Sequence, residues 1–176
     1  VGIVEKASLL DGKAIKPGDQ IIGLPSNGLH TNGYTLARSV LFDQLKLRPS
    51  SRVKSLGRTV GQELLRVHRS YLPVITKLLK RFNRPKATRK IKGLAHITGG
   101  GFIDNIPRVL PKKVDAEIER GTWEVPPIFS LIEEAGGVSV EEMHTVFNMG
   151  IGMVAVVDGD SFTEIERYLK RTGESF

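Results

Sequence analysis

The chain has 176 residues, of which 40% are hydrophobic and none is cysteine. That length and composition fit one domain with a sizeable core, and the lack of cysteine excludes disulfides, thiolate metal sites and a Cys nucleophile while suiting a reducing cytoplasm. The formal net charge of +7 is concentrated, because ten Lys and Arg fall between Glu63 and Asp104, where no Asp or Glu occurs. That basic stretch, Arg66 to Lys92, reads as the solvated face of a helix and its loop. Only Tyr71 and Phe82 accompany it as stacking aromatics, too few for a nucleic-acid surface.

In chain order, Val1–Lys6 has neither an initiator Met nor a signal-peptide pattern and reads as a strand. Turns follow at Asp11-Gly12 and Lys16-Pro-Gly-Asp19, then a strand over Gln20–Leu24. After Gly33, Tyr34, Ala37, Val40, Leu41 and Leu45 share one helical face. Residues 47–58 are polar and read as a loop, with helices near 59–68 and 72–82. In the second of these, Leu72, Ile75, Leu78 and Leu79 form the expected buried stripe. Asn83–Lys90 is a basic connector and Ile91–Ile97 a strand. Phe102–Leu110 is a short helix stopped by Pro111, and Val114, Ala116 and Ile118 alternate as in a half-exposed strand. A helix opens at Pro126-Pro127 and closes at Gly136-Gly137. Ser139–Glu142 and Ser161–Glu164 have capping-box spacing, and Gly152–Val157 is a buried strand. No apolar run approaches the roughly 20 residues that span a bilayer. The order of elements predicts an α+β class, a three-layer α/β/α domain with a mixed β-sheet.

Three Gly-rich polar segments carry the candidate chemistry. Gly93-Leu-Ala-His-Ile-Thr-Gly-Gly-Gly-Phe-Ile-Asp-Asn105 passes from a strand through three glycines into a helix, a place where backbone N–H groups can hold an anion. Leu24-Pro-Ser-Asn-Gly-Leu-His-Thr-Asn-Gly-Tyr34 has the same topology and crowds Ser26, Asn27, His30, Thr31 and Asn32 into one loop. Phe147-Asn-Met-Gly-Ile-Gly-Met153 enters the last strand, with Asn148 and Gly150 as possible ligand contacts. His30 and His96, inside the first two segments, are the candidate acid/base groups. His68 and His144 read as structural. No histidine pair has metal-ligand spacing, so no metal ligand is assigned, and no P-loop is present.

Together with Val1-Gly-Ile-Val-Glu5 and Gly18-Asp-Gln-Ile-Ile-Gly-Leu24, these segments closely resemble, in order, the C-terminal half of the aminoimidazole ribonucleotide synthetase (phosphoribosylformylglycinamidine cyclo-ligase) family. The resemblance implies that residues 1–176 are a single C-terminal synthetase domain, with the N-terminal ATP-binding domain absent and the extreme C-terminus truncated. It further implies ATP-dependent closure of formylglycinamidine ribonucleotide to aminoimidazole ribonucleotide. In that reaction the formyl amide oxygen is phosphorylated, the amidine nitrogen attacks, and phosphate leaves. ATP and Mg2+ would be held mostly by the absent domain, in a cytoplasmic homodimer that binds neither membrane nor nucleic acid. On this chain His30, Asn32, His96 and Asp104 would face the reacting centre. Ser26, Asn27, Gly28, Thr98, Gly99, Gly100, Gly101, Asn105, Asn148 and Gly150 would bind phosphate or substrate. A selenophosphate synthetase-like phosphoryl-transfer enzyme is the second reading, and a non-catalytic basic binding domain is the third.

Overall fold

The computed structural model describes residues 3–84 and 88–176. Val1 and Gly2 of the expected first strand, and Pro85–Ala87 of the expected connector, lie outside the described residues. The elements run β1 (Gln20–Pro25), α1 (Tyr34–Arg38), β2 (Arg52–Val53), β3 (Arg58–Thr59), α2 (Val60–Leu64), α3 (Leu72–Phe82), β4 (Ile91–His96), α4 (Gly101–Asn105), α5 (Pro127–Gly136), α6 (Val140–Val146), β5 (Ile151–Val157) and α7 (Phe162–Arg171).

The main sheet has the order β1-β5-β4. Both of its ladders are antiparallel, Gln20 pairing with Val157 on one side and His96 with Met153 on the other. The last strand in sequence is therefore the central one. Its seven residues, Ile-Gly-Met-Val-Ala-Val-Val, are almost continuously buried, as expected of a strand covered on both faces. Against one face pack α3 and α7, where Ile22, Leu24, Ala155 and Val157 meet Val74, Leu78, Ile165 and Leu169. Against the other lie Ile106, Phe102 and the extended segment with Ala116 and Ile118, packed on Ala95, Ile151 and Val154. A third cluster joins α1 and the π-helical turn Ser39–Gln44 that continues it to α5 and the residue after α6, through Ala37, Val40, Leu41, Phe129, Ile132 and Phe147. The α+β class and the layering thus hold.

Several local expectations are corrected. Ile3–Glu5 have no regular structure, and Lys6–Ser8 form a 3-10 turn. Ile3 is fully exposed, so the apolar residues of this segment find no ladder among the described residues. The polar loop 47–58 contains strand β2 and the start of β3, which make a small hairpin with Arg52 opposite Thr59. In α3 the buried stripe is Val74, Leu78 and Phe82, and Leu72 is exposed at the first turn. The helix expected over 102–110 breaks at Pro107, which has no N–H to continue it, and resumes as a 3-10 turn over Pro107–Val109. Val114, Ala116 and Ile118 alternate in burial as expected but join no ladder among the described residues. The full capping box sits at Thr59 and Gln62. Ser139 caps α6 by accepting from Glu142 N, whereas Ser161 Oγ donates to Asp158 instead of capping α7.

Much of the basic stretch is engaged by local and tertiary pairing. Arg66 meets Glu63, Arg69 and Lys77 meet Glu174, and Arg81 and Lys90 meet Glu164. Arg89 donates to the carbonyls of Ala7 and Leu9. Lys92 is buried, with its Nζ 2.6 Å from Asp19 and 2.9 Å from Asp158. No described helix is long and apolar enough to cross a membrane.

Candidate active site

The loop after β1 is built around a buried amide. Asn148 Oδ1 accepts from Ser26 Oγ at 2.7 Å and from Gly150 N at 2.9 Å, while its Nδ2 donates to the carbonyls of Gly28 and Leu29. With every polar atom of the amide satisfied, residues 26–29 are pinned to the turn that enters β5. His30 is held next in a left-handed backbone conformation, φ 59°. Its ring lies against Gly152, where a Cβ would come within 2.6 Å of His30 Cε1 and 2.2 Å of the Tyr71 hydroxyl. Only glycine at that position leaves room for both rings.

His30 Nε2 is 2.9 Å from Asn27 Oδ1, and its Nδ1 is buried without a partner. The ring stacks on His68 at 3.8 Å, and His68 stacks in turn on His96 at 5.4 Å. His96 Nε2 lies 3.4 Å from His68 Nε2. Burial, reinforced by His68, His96, Arg69 and Arg66, pushes His30 down to about 4. His96 is pushed down as well, by burial and then by His68. Both imidazoles are therefore neutral at neutral pH, and His30, the more strongly depressed, resists taking up a proton. Burial pushes Tyr71 up to about 12, and its hydroxyl donates to the Pro25 carbonyl at 2.9 Å. His68 and His96 open onto a depression of about 540 Å³ that Arg69, Tyr71 and Met153 also line.

The triglycine loop sits beside this group. Asn32 Nδ2 donates to Thr98 Oγ1 at 2.7 Å, which ties the loop after β1 to the loop after β4. Asn105 Nδ2 donates to the carbonyls of Thr98, Gly99 and Gly101 and holds the loop from beneath. Two of the three glycines have packing reasons. Gly101, at φ 57°, would place a Cβ 1.7 Å from the His144 carbonyl oxygen where α4 meets α6. Gly100 is at φ 92° with Asp104 directly beside it. Gly99 is the open one, its Cβ position 3.4 Å from Asn32 Oδ1. A cleft of about 670 Å³ lies elsewhere, between α4, the segment 110–120 and the start of α6. It is lined chiefly by apolar side chains such as Ile106, Leu110 and Ile118.

Residues 16–176 match the family model described as AIR synthase related protein, C-terminal domain. The chain belongs to this family. It is similar to the phosphoribosylformylglycinamidine cyclo-ligase of Syntrophus aciditrophicus (strain SB), 44% identical over 174 residues, and to that of Geobacillus sp. (strain WCH70), 46% identical over 174 residues. Each alignment covers 99% of this chain and 48% of the relative. A third relative of the same name, from Syntrophotalea carbinolica (strain DSM 2380 / NBRC 103641 / GraBd1), is 48% identical over 94% of this chain and 45% of its own length. The chain spans about half the length of the relatives it matches.

In this AIR synthase-related domain the residues singled out from sequence fall into two adjoining groups and a scaffold. His30 and His96 come together, and Asn32, Thr98 and Gly99 meet at the loop junction. Ser26, Asn105, Asn148 and Gly150 are buried supports, Asn105 and Asn148 donating to loop carbonyls and Ser26 Oγ donating to Asn148 Oδ1. Gly28 faces Glu63 and Arg66, and Asn27 bridges His30 to the Val67 carbonyl. Asp104 joins neither group and is exposed on α4. Sequence reasoning missed His68. It occupies the loop between α2 and α3, not a helix, and stacks between His30 and His96. Nothing in its sequence neighbourhood announces that contact. Arg69 was counted only as charge, yet it donates to the Pro25 carbonyl and to the Asn27 side chain through Nη1 and its backbone N.

Proposed function

We propose that this chain is the C-terminal part of an ATP-dependent cyclo-ligase that closes formylglycinamidine ribonucleotide to aminoimidazole ribonucleotide. The observation that carries the reading is the likeness, along 99% of the chain, to proteins named phosphoribosylformylglycinamidine cyclo-ligase. ATP supplies the phosphoryl group that turns the formyl amide oxygen into a leaving group. Ring closure then needs a base for the attacking amidine nitrogen and donors for the developing anion. His96 is the better base on this chain, since it is exposed to the depression and neutral. Both His30 nitrogens are enclosed, so His30 supports His96 through the stack. Thr98, Gly99 and Asn32 form the surface that meets a phosphate. Gly100, Gly101, Asn105, Asn148 and Ser26 hold that surface in place.

Mg2+ prefers oxygen ligands, and the metal-competent cluster among the described residues is made of three imidazoles. These residues do not fit Mg2+, and no step on this chain is routed through it. The ATP-binding domain, the homodimer contacts and a cytoplasmic location are inferred from the family resemblance. The pairing of Arg66, Arg69, Lys77, Arg81 and Lys90 with Glu63, Glu174 and Glu164 supports the exclusion of nucleic acid as a partner.

The test joins this chain to the remaining half of the Geobacillus enzyme and measures ATP-dependent formation of aminoimidazole ribonucleotide. Product should form, and His96→Gln should lower kcat about 100-fold, the lower end for general acid–base catalysis. The 176-residue chain alone should form none. A folded chimera without activity, in an assay where the Geobacillus enzyme turns over, overturns the reading.

A further inference from the structure

His30, His68 and His96 come from three separate segments: the loop after β1, the loop after α2 and the end of β4. One ring nitrogen from each lies within 4.8 Å of the others. Two nitrogens bound to one tetrahedral Zn2+ at about 2.0–2.1 Å are about 3.3–3.4 Å apart. His68 Nε2 and His96 Nε2 already stand at 3.4 Å. His30 contributes the second, independent sign, a ring 6% exposed whose Nδ1 is buried with no hydrogen-bond partner. An unpaired buried nitrogen is costly, and coordination would satisfy it. The nearby positive charges are partly offset, Arg66 by Glu63 at 3.3 Å and Arg69 by Glu174 at 3.6 Å.

We propose that His30, His68 and His96 form a binding site for a borderline divalent transition metal, Zn2+ foremost, with the fourth coordination position open to the depression beside His96. Imidazole ligands select zinc, copper and nickel over the hard cations magnesium and calcium. Zinc, with no geometric preference of its own, accepts a trio assembled on two loops and a strand end. Closing the trio on one ion requires the near-parallel His30, His68 and His96 rings to turn until their lone pairs converge, motion about the broad imidazole torsion. The site does not rest on the cyclo-ligase reading. The two uses of His96 exclude each other, however, because a nitrogen that ligates a metal cannot accept a proton.

The experiment strips the protein with a chelator and dialyses it against micromolar Zn2+ at pH 7.5. The wild type should retain one zinc per chain. His68→Ala should bind at least tenfold more weakly, and His144→Ala, which alters a histidine on α6, should retain one zinc. His96→Gln, at an exposed position, serves as a second variant should His68→Ala fail to fold, and it too should lose the zinc. Substituting Co2+ should give the visible absorption of a tetrahedral ion in the wild type and in His144→Ala, and not in His68→Ala or His96→Gln. Equal zinc retention by wild type and the folded His68→Ala or His96→Gln variant overturns the site, as does a wild type that retains none. Catalysis plays no part in these readouts, so failure here leaves the cyclo-ligase reading standing.

Discussion

Lys92→Met removes the cation that joins the ends of three strands. Lys92 lies at the register shift between Ile91 and Gly93 of β4. Its Nζ bridges Asp19, just before β1, and Asp158, just after β5. The side chains of Lys92 and Asp19 are 6% and 3% exposed, and that of Asp158 is 18%. Methionine keeps most of the stem and its packing but leaves two carboxylates facing each other. Each retains one hydrogen bond, Asp19 from Lys16 N at 2.9 Å and Asp158 from Ser161 Oγ at 3.1 Å. Removing one member of a buried ion pair costs about 3–5 kcal/mol, a large part of a total stability of about 5–15 kcal/mol. With an m-value of about 2 kcal/mol/M, the urea midpoint should fall by about 2 M, read from the fluorescence of the one tryptophan, Trp123.

The sign with pH is also specified. The hydrogen bond from Lys92 holds Asp158 below the ordinary carboxylate range. In the wild type that contribution is present above the unfolded value of about 3.9 and is lost as pH falls through the lower folded value. In Lys92→Met the Asp158 carboxylate loses that donor and faces a second carboxylate, which pushes it up instead. The deficit of the variant is therefore largest at pH 7 and shrinks toward pH 5 as Asp158 takes up a proton. Adding Asp19→Asn should restore at least half of the loss at pH 7. A deficit under about 1 kcal/mol at pH 7 with unchanged m, or one that is the same at both pH values, would refute the reasoning.

Gly101→Ala should cost about 3 kcal/mol or more, since the new Cβ meets a backbone carbonyl in a left-handed conformation. Scanning calorimetry should show a fall in Tm of about 10 °C. Asn148→Ala should cost about 2–3 kcal/mol, because it orphans groups inside the loop after β1. Its signature in hydrogen exchange is faster exchange at residues 26–30, with the centre of β5 unchanged.

Much of the fold was legible because single elements declare themselves locally. The β-prone run at 152–157, the turn chemistry before Gln20, the Pro-Pro start of α5 and its Gly137 stop all depend on neighbours within a few residues. What failed depended on distant partners. Val114–Ile118 has strand alternation without a ladder, because alternation records two environments and not a hydrogen-bonding neighbour. Leu72 sits on an apolar period yet is exposed, because the packing of α3 against β1 and β5 selects the stripe through Val74, Leu78 and Phe82. At the candidate site, Gly-rich composition marked loops that the fold brings together but not what each residue does there. The triglycine run has the sequence of an anion cradle, yet a carbonyl of α6 accounts for Gly101 and Asp104 crowds Gly100.

By itself the sequence determined the α+β class, the two polar loops that follow strands, and the family to which those loops point. These follow from propensities and motifs carried along the chain. Only the tertiary structure decided that β5 lies between β1 and β4, that Asn148 is a support, and that Arg69, Lys77, Arg81, Lys90 and Lys92 are paired with distant carboxylates. It alone brought His68 between His30 and His96 from a loop with no motif of its own. The physical reason is the same throughout. Hydrogen-bond satisfaction, ion pairing and ring stacking act between surfaces, and residues far apart in sequence share a surface only after the chain has folded.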